Sequence, residues 1–199
     1  DWSSDVCSSD LITTGSLGVG FCEGIGMALD AKLRKEAWRM WILLGDGELD
    51  EGSVWEAAQA GAKYSLDTVT AIVDRNGLQN DGFCDDIMPM RSVAEKFRAF
   101  GWNTLEIDGH DMAAVVAALE EAKKIHGVPT CIVANTVKGK GVSFMENKRD
   151  WHGKPPNEAQ YAIAVAELKA EAVRLIFQNR HTPPGGSSQK EWPRGARGR

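Results

Sequence analysis

Between residues 17 and 177 the apolar positions alternate between two patterns, stretches of helical period and short continuous runs of strand length. Residues 17–36 carry small and apolar side chains on a helical period, with Gly20, Gly24 and Gly26 permitting close packing against a neighbour. The apolar run over residues 38–44 predicts a strand that ends directly at Gly45. Residues 53–64 predict a helix with Ser53 as its N-cap. A strand over residues 68–73 follows, then a polar loop through residues 75–91 and a helix over residues 92–100. A third strand, residues 103–107, leads into a helix over residues 111–126, and a fourth strand covers residues 130–135. A loop with several glycines spans residues 137–157, and a last helix spans residues 158–177. There are no internal repeats.

Strands alternating with helices imply an α/β fold: a parallel sheet with helices on both faces, joined by right-handed crossovers. Ligands in such sheets bind at the carboxyl ends of strands, where the loops gather. A polar residue just after a strand is therefore a candidate for chemistry, whereas one inside a helix usually is not.

Composition adds limits. A chain of 199 residues with 43% hydrophobic content can bury one substantial core, which predicts one domain over residues 12–177. The net charge of −5 and a pI near 5.4 suit a soluble enzyme, and no basic stripe in the body points to nucleic acid. The longest apolar stretches are strand-sized, too short to cross a bilayer, and no signal-peptide pattern opens the chain. Cys7, Cys22, Cys84 and Cys131 show no CxxC spacing and read as reduced thiols of a cytoplasmic protein. Residues 1–11 lack periodicity and an initiator Met, resemble a translated adaptor, and read as a non-native leader before an N-terminally truncated domain. Residues 178–199, rich in Pro, Gly, Ser and Arg, read as a disordered basic tail.

Gly45-Asp46-Gly47-Glu48 follows the first strand directly. Alone it describes a turn, with glycine supplying positive φ and Asp an Asx-type hydrogen bond. Asn76 follows the second strand, and the 28 residues between Gly47 and Asn76 match one crossover unit. Asp46 and Asn76 are thus expected at the carboxyl ends of neighbouring parallel strands. A carboxylate, an amide oxygen and a main-chain carbonyl suit Mg²⁺ or Ca²⁺, with phosphate oxygens of a ligand completing the shell. The acidic run Asp46, Glu48, Asp50 and Glu51 adds to the need for a cation.

The strand–GDG–helix–strand–Asn arrangement resembles the thiamine-diphosphate-binding motif, and LLGDGELDEGSVWEAAQAGAKYSLDTVTAIVDRNGLQNDG resembles transketolase. The N-terminal subunit of the split, two-chain form is the nearest likeness. It continues through TTGSLGVGFCEGIGMALDAKL, AFGWNTLEIDGHD and NTVKGKGVSFMENKRDWHGKPPNEAQY, covering about residues 12–170. The resemblance implies that Asp46, Asn76 and the carbonyl of Leu78 hold the metal, and that Gly47 approaches the diphosphate through its backbone. The turn of Gly15, Ser16, Leu17 and Gly18 resembles the glycine turn beside the cofactor; Ser16 replaces the proline of many single-chain transketolases, and Val19 a usual glutamine. His152 resembles the family histidine that contacts diphosphate and substrate, where hydrogen-bond donation or proton transfer suits an imidazole. A plain surface histidine is the alternative. His110 reads as a cap of the following helix, and Lys138 and Lys140 as solvated lysines. Glu51 and Glu56 stand where the family places a subunit-interface network, the alternative being acidic residues favoured by a helix dipole.

In the family a glutamate on a pyrimidine-binding domain activates the cofactor, and nothing after residue 177 can form that domain. The family's upstream histidines are also missing. The resemblance therefore implies half of a transketolase, moving a two-carbon ketol unit between sugar phosphates with thiamine diphosphate and Mg²⁺ (or Ca²⁺). Its partner would be a C-terminal subunit carrying the pyrimidine domain, in a hetero-oligomer. Other expectations stay open: a dehydrogenase E1 component or deoxyxylulose-phosphate synthase relative, or an inert cofactor-binding fragment. The Gly-Ser-Leu-Gly turn and the Trp-His-Gly-Lys loop favour transketolase.

Overall fold

The computed structural model describes residues 14–180, and the apolar runs become strands. In chain order these are β1 (Met40–Gly45), β2 (Val69–Arg75), the short β3 (Leu78–Gln79) and β4 (Gly82–Phe83), β5 (Asn103–Asp108) and β6 (Thr130–Asn135). The helices are α1 (Val19–Arg34), α2 (Gly52–Lys63), α3 (Cys84–Ile87), α4 (Val93–Ala99), α5 (Met112–Ala122) and α6 (Glu158–Arg180). Four strands form a parallel sheet in the order β1-β2-β6-β5. The register pairs Gly45 with Asp74, Arg75 with Asn135, and Asp108 with Asn135, so the carboxyl ends of all four strands finish side by side. The following loops gather there.

Alternate residues divide between two faces. On one face Ile42, Leu44, Val69, Ala71, Val73, Cys131 and Val133 pack with Phe21 and Ile25 of α1, Val54, Ala57 and Ala58 of α2, and Phe97 of α4. Trp102 joins them, its indole N–H donating to the carbonyl of Ala58 at 2.8 Å and its ring meeting Phe97 edge-on at 5.3 Å. On the other face Ile72, Leu105, Ile107 and Ile132 pack with Ala118, Leu119 and Ala122 of α5. Helices thus cover both faces, though α5 leaves Trp41 and Leu43 of β1 39% and 72% exposed. Of the three glycines read as packing positions on α1, Gly24 is buried and Gly26 exposed.

Ser53 is not the N-cap of α2. A 3₁₀ turn over Gly47–Asp50 ends at the extended residue Glu51, which is also the capping residue of the helix that begins at Gly52, with no side-chain cap bond. Residues 75–91, read as a loop, contain the antiparallel β3–β4 hairpin and the single turn of α3.

Residues 141–143 and 156–180 form a separate compact unit from residues 14–140 and 144–155. Within it α6 starts on a reciprocal cap: Asn157 Oδ1 accepts from the N–H of Gln160, and Gln160 Oε1 from that of Asn157. Glu167 accepts two bonds from Ser143, one from its N–H and one from its hydroxyl. The helix runs to Arg180, so residues 178–180 of the predicted tail are helical; residues 181–199 and the predicted leader lie outside the described residues. Among the described residues no helix is long and apolar enough to cross a membrane.

Candidate functional site

Asp46 leaves β1 at the point where the chain turns, and it is 6% exposed. Its Oδ1 accepts the N–H of Gly47 at 2.9 Å, and its Oδ2 accepts the N–H of Gly77 at 2.5 Å. The second bond reaches across from β1 to the loop after β2, drawing Asp46 against the Asn76 turn. Asn76 is itself oriented: its Oδ1 accepts from the N–H of Leu78 at 3.0 Å, and its amide donates to Asp74 at 3.4 Å. Asp74 is held in turn by the hydroxyl of Thr136, after β6. Leu78 opens the β3–β4 hairpin with its side chain buried.

A cavity of about 340 Å³ opens beside these groups, lined among others by Asp46, Arg75, Asn76, Gly77, Cys84 and Thr136. Burial pushes the Asp46 carboxyl above its ordinary range. The Gly77 N–H, the Cys84 thiol and the Gly47 N–H pull it back only in part, and the charge of Asp74 raises it further. Cys84 is pushed up to about 12, first by burial and then by the Asp46 charge, so its thiol stays protonated. Buried negative charge short of compensation fits a hard divalent cation. The donors fit too, since the Asp46 carboxylate and Asn76 Oδ1 keep lone pairs beyond the bonds named. No cluster of three His, Cys, Asp or Glu side chains suited to a metal occurs among the described residues, so any cation here would depend on amide and carbonyl oxygens as well.

Gly47 has a local reason to be glycine. A Cβ there would stand 2.8 Å from Cβ of Gln79, closer than real contacts allow. Across the strand end lies the turn of Gly15, Ser16 and Leu17, all three exposed, ending at the buried Gly18. Gly18 is left-handed at φ 79° and precedes α1. The Glu48 carboxylate ties this turn to β1, accepting from Gly18 N–H at 2.8 Å and from Gly45 N–H at 3.1 Å. In the sequence Glu48 stands out only as part of an acidic run. Its first partner lies 30 positions away, and no local pattern announces the pairing.

His152 follows a 3₁₀ turn over Arg149–Trp151 and is exposed. It lines neither the Asp46 cavity nor a second one, of about 300 Å³, beside the hairpin. The loop is tied to the hairpin by Arg149, which donates to the carbonyl of Asp81 at 3.1 Å, and it is stiffened by the Trp151 indole bonding the Phe144 carbonyl at 2.7 Å. The structure thus gathers Asp46, Gly47, Asn76 and Leu78, sets the glycine turn beside them, and leaves His152 on a neighbouring loop. His110 does not cap α5. Asp111 does, accepting from Ala113 and Ala114, while His110 Nε2 accepts the N–H of Val137 at 2.7 Å. Lys140 lies 3.8 Å from Glu146. Glu51 and Glu56 are exposed, and the small residues Ala57, Ala58 and Gly61 of the same helix are buried within the chain's own core.

The family described as the transketolase thiamine diphosphate binding domain matches residues 7–172. The chain is 39% identical over 168 residues to one subunit of the apulose-4-phosphate transketolase of Phocaeicola vulgatus, covering 84% of this chain and 60% of that protein. It is 43% identical over 162 residues to the 6-deoxy-6-sulfo-D-fructose transketolase subunit SqwG of a Clostridium species, covering 81% and 59%. Human transketolase is 41% identical over 176 residues, 87% of this chain and 27% of that one. A crystal structure of transketolase from Campylobacter jejuni matches with a TM-score of 0.68 at 26% identity, covering 86% of this chain and 32% of that chain. The chain spans at most 60% of the length of these relatives.

Proposed function

This chain belongs to the family of transketolase thiamine-diphosphate-binding domains, and on that premise we propose that it is the metal- and diphosphate-holding half of a transketolase active site. The observation that carries the reading is the buried Asp46 carboxylate drawn against the Asn76 turn by Gly77 N–H, beside an open cavity. In this reading Asp46, Asn76 and the carbonyl of Leu78 hold Mg²⁺ (or Ca²⁺). A cation held there would offset the charge of Asp46, which would otherwise repel an anionic diphosphate. Gly47, bare of a side chain, and the Asn76 amide give the diphosphate close approach. Gly15, Ser16 and Leu17 are exposed on the turn that Glu48 ties to the same strand end, where the organic part of the cofactor would lie. When bound, thiamine diphosphate would supply the nucleophile and electron sink for ketol transfer. His152 is the residue of this chain assigned to the proton: exposed on a braced loop, its imidazole can donate to a diphosphate oxygen or exchange a proton with a substrate hydroxyl.

The reaction proposed is transfer of a two-carbon ketol unit between sugar phosphates, in the cytoplasm. Two of the relatives are named as subunits of transketolases, which supports a partner chain. We assign that partner the pyrimidine-binding domain, with Glu51 and Glu56 on the exposed side of α2 available to the interface. The test is an assay of the chain with such a partner, Mg²⁺, thiamine diphosphate, xylulose 5-phosphate as ketol donor and an aldose phosphate as acceptor. Ketol transfer is expected with both chains and none with either alone. A correctly assembled pair that binds cofactor yet transfers no ketol unit would contradict the assignment.

A further inference from the structure

Glu48 lies outside the metal and cofactor residues assigned above, yet its carboxylate joins two backbone segments beside Asp46. The 3₁₀ turn folds residue 48 back over the end of β1, with Leu49 N–H bonding the carbonyl of Asp46 and Glu51 N–H that of Glu48. One carboxylate oxygen can then accept from Gly18 and the other from Gly45. Gly18 is the N-cap of the 16-residue α1 and offers no side-chain cap, and the distant carboxylate takes Gly18's own N–H, the donor that the glutamate of a capping box takes. The two sides of Asp46 are engaged differently. Its own carboxylate faces Gly77 on the β2 side, whereas Glu48 gathers the Gly18 turn onto β1, the edge strand of the sheet.

We infer that Glu48 is a positioning residue that fixes the Gly15–Gly18 turn against the end of β1, and through it the organic end of bound thiamine diphosphate, leaving the metal–diphosphate end unaffected. The assignment rests on the cofactor reading given above. A carboxylate suits the task because both of its oxygens only accept. A glutamine there would turn its amide donor toward one of two N–H donors.

Titration calorimetry on the full chain in Mg²⁺ tests this with two probes, thiamine diphosphate and inorganic pyrophosphate. Glu48→Ala and Glu48→Gln should weaken thiamine diphosphate by about tenfold, the size of one lost charge-assisted hydrogen bond, with pyrophosphate affinity unchanged. Amide hydrogen exchange at Gly18 and Gly45 of the unliganded chain should quicken in both variants. Equal thiamine diphosphate affinity in chain and variants overturns the inference, as does unchanged exchange. Equal losses for both probes also overturn it, since a general structural role would produce them. If Glu48→Ala fails to fold, the nearly isosteric Glu48→Gln decides. An unaltered chain that binds neither probe sinks the cofactor reading and this inference together, whereas variants that bind like an unaltered, binding-competent chain sink the inference alone.

Discussion

Asp46 is a carboxylate whose burial disfavours its charge and whose two N–H donors and one thiol restore only part of that cost. Its neighbour Gly47 is constrained from the other side by Gln79. Gly47→Ala should destabilise the chain by about 1–3 kcal/mol, the usual range for overpacking, because backbone and Cβ of the hairpin must give way. Urea denaturation measures this, and Gln79→Gly in the same chain should restore most of the loss; no rescue would place the strain elsewhere. The Asp46–Asn76 pair could be read from sequence because its spacing equals one crossover unit and both residues follow apolar runs. Glu48 and His110 could not be read that way. Each finds a partner about 30 positions distant, Gly18 in one case and Val137 in the other, and only the folded strand ends bring them together.

Among elements, β6 is buried almost throughout, and its Cys131 carries a testable pH dependence. Burial, with a smaller contribution from the charge of Glu106, holds this thiol well above its usual range. An unfolded chain ionises the thiol near pH 9, and the folded chain does not, so the unfolded state binds fewer protons above that value. Stability should therefore fall as pH rises past about 9, by up to about 1.4 kcal/mol per unit from this group. Cys131→Ala should remove that share of the decline, seen as a smaller difference between urea midpoints at about pH 8 and about pH 10. An identical decline in the variant would contradict the assignment. Phe97 anchors α4 among Phe21, Trp55 and Trp102, and Phe97→Ala should cost about 3–5 kcal/mol in the same denaturation experiment. The four main strands and the helices around them follow the apolar periods closely. The β3–β4 hairpin does not, since strands of two residues each are too short to show alternation. Ser53 has the side chain of an N-cap, but the extended residue that ends the 3₁₀ turn and precedes the helix is Glu51, which puts Ser53 already inside α2.

At the scale of the whole molecule, one parallel sheet places the ends of β1 and β2 beside each other, and the proposed site is what those ends carry. Exposed Glu56 should have little effect within the chain: Glu56→Ala is expected to leave folding stability within about 0.5 kcal/mol, as for ordinary surface positions, while weakening association with the proposed pyrimidine-domain partner in analytical ultracentrifugation. Equal association would remove Glu56 from the interface. The central claim, that Asp46 and Asn76 hold a cation for a diphosphate, is tested most directly by calorimetric titration of the chain with thiamine diphosphate, with and without Mg²⁺, alongside Asp46→Ala. The account predicts saturable binding that requires Mg²⁺ and is lost in Asp46→Ala. Binding that is indifferent to the metal, or that survives in Asp46→Ala, would contradict it.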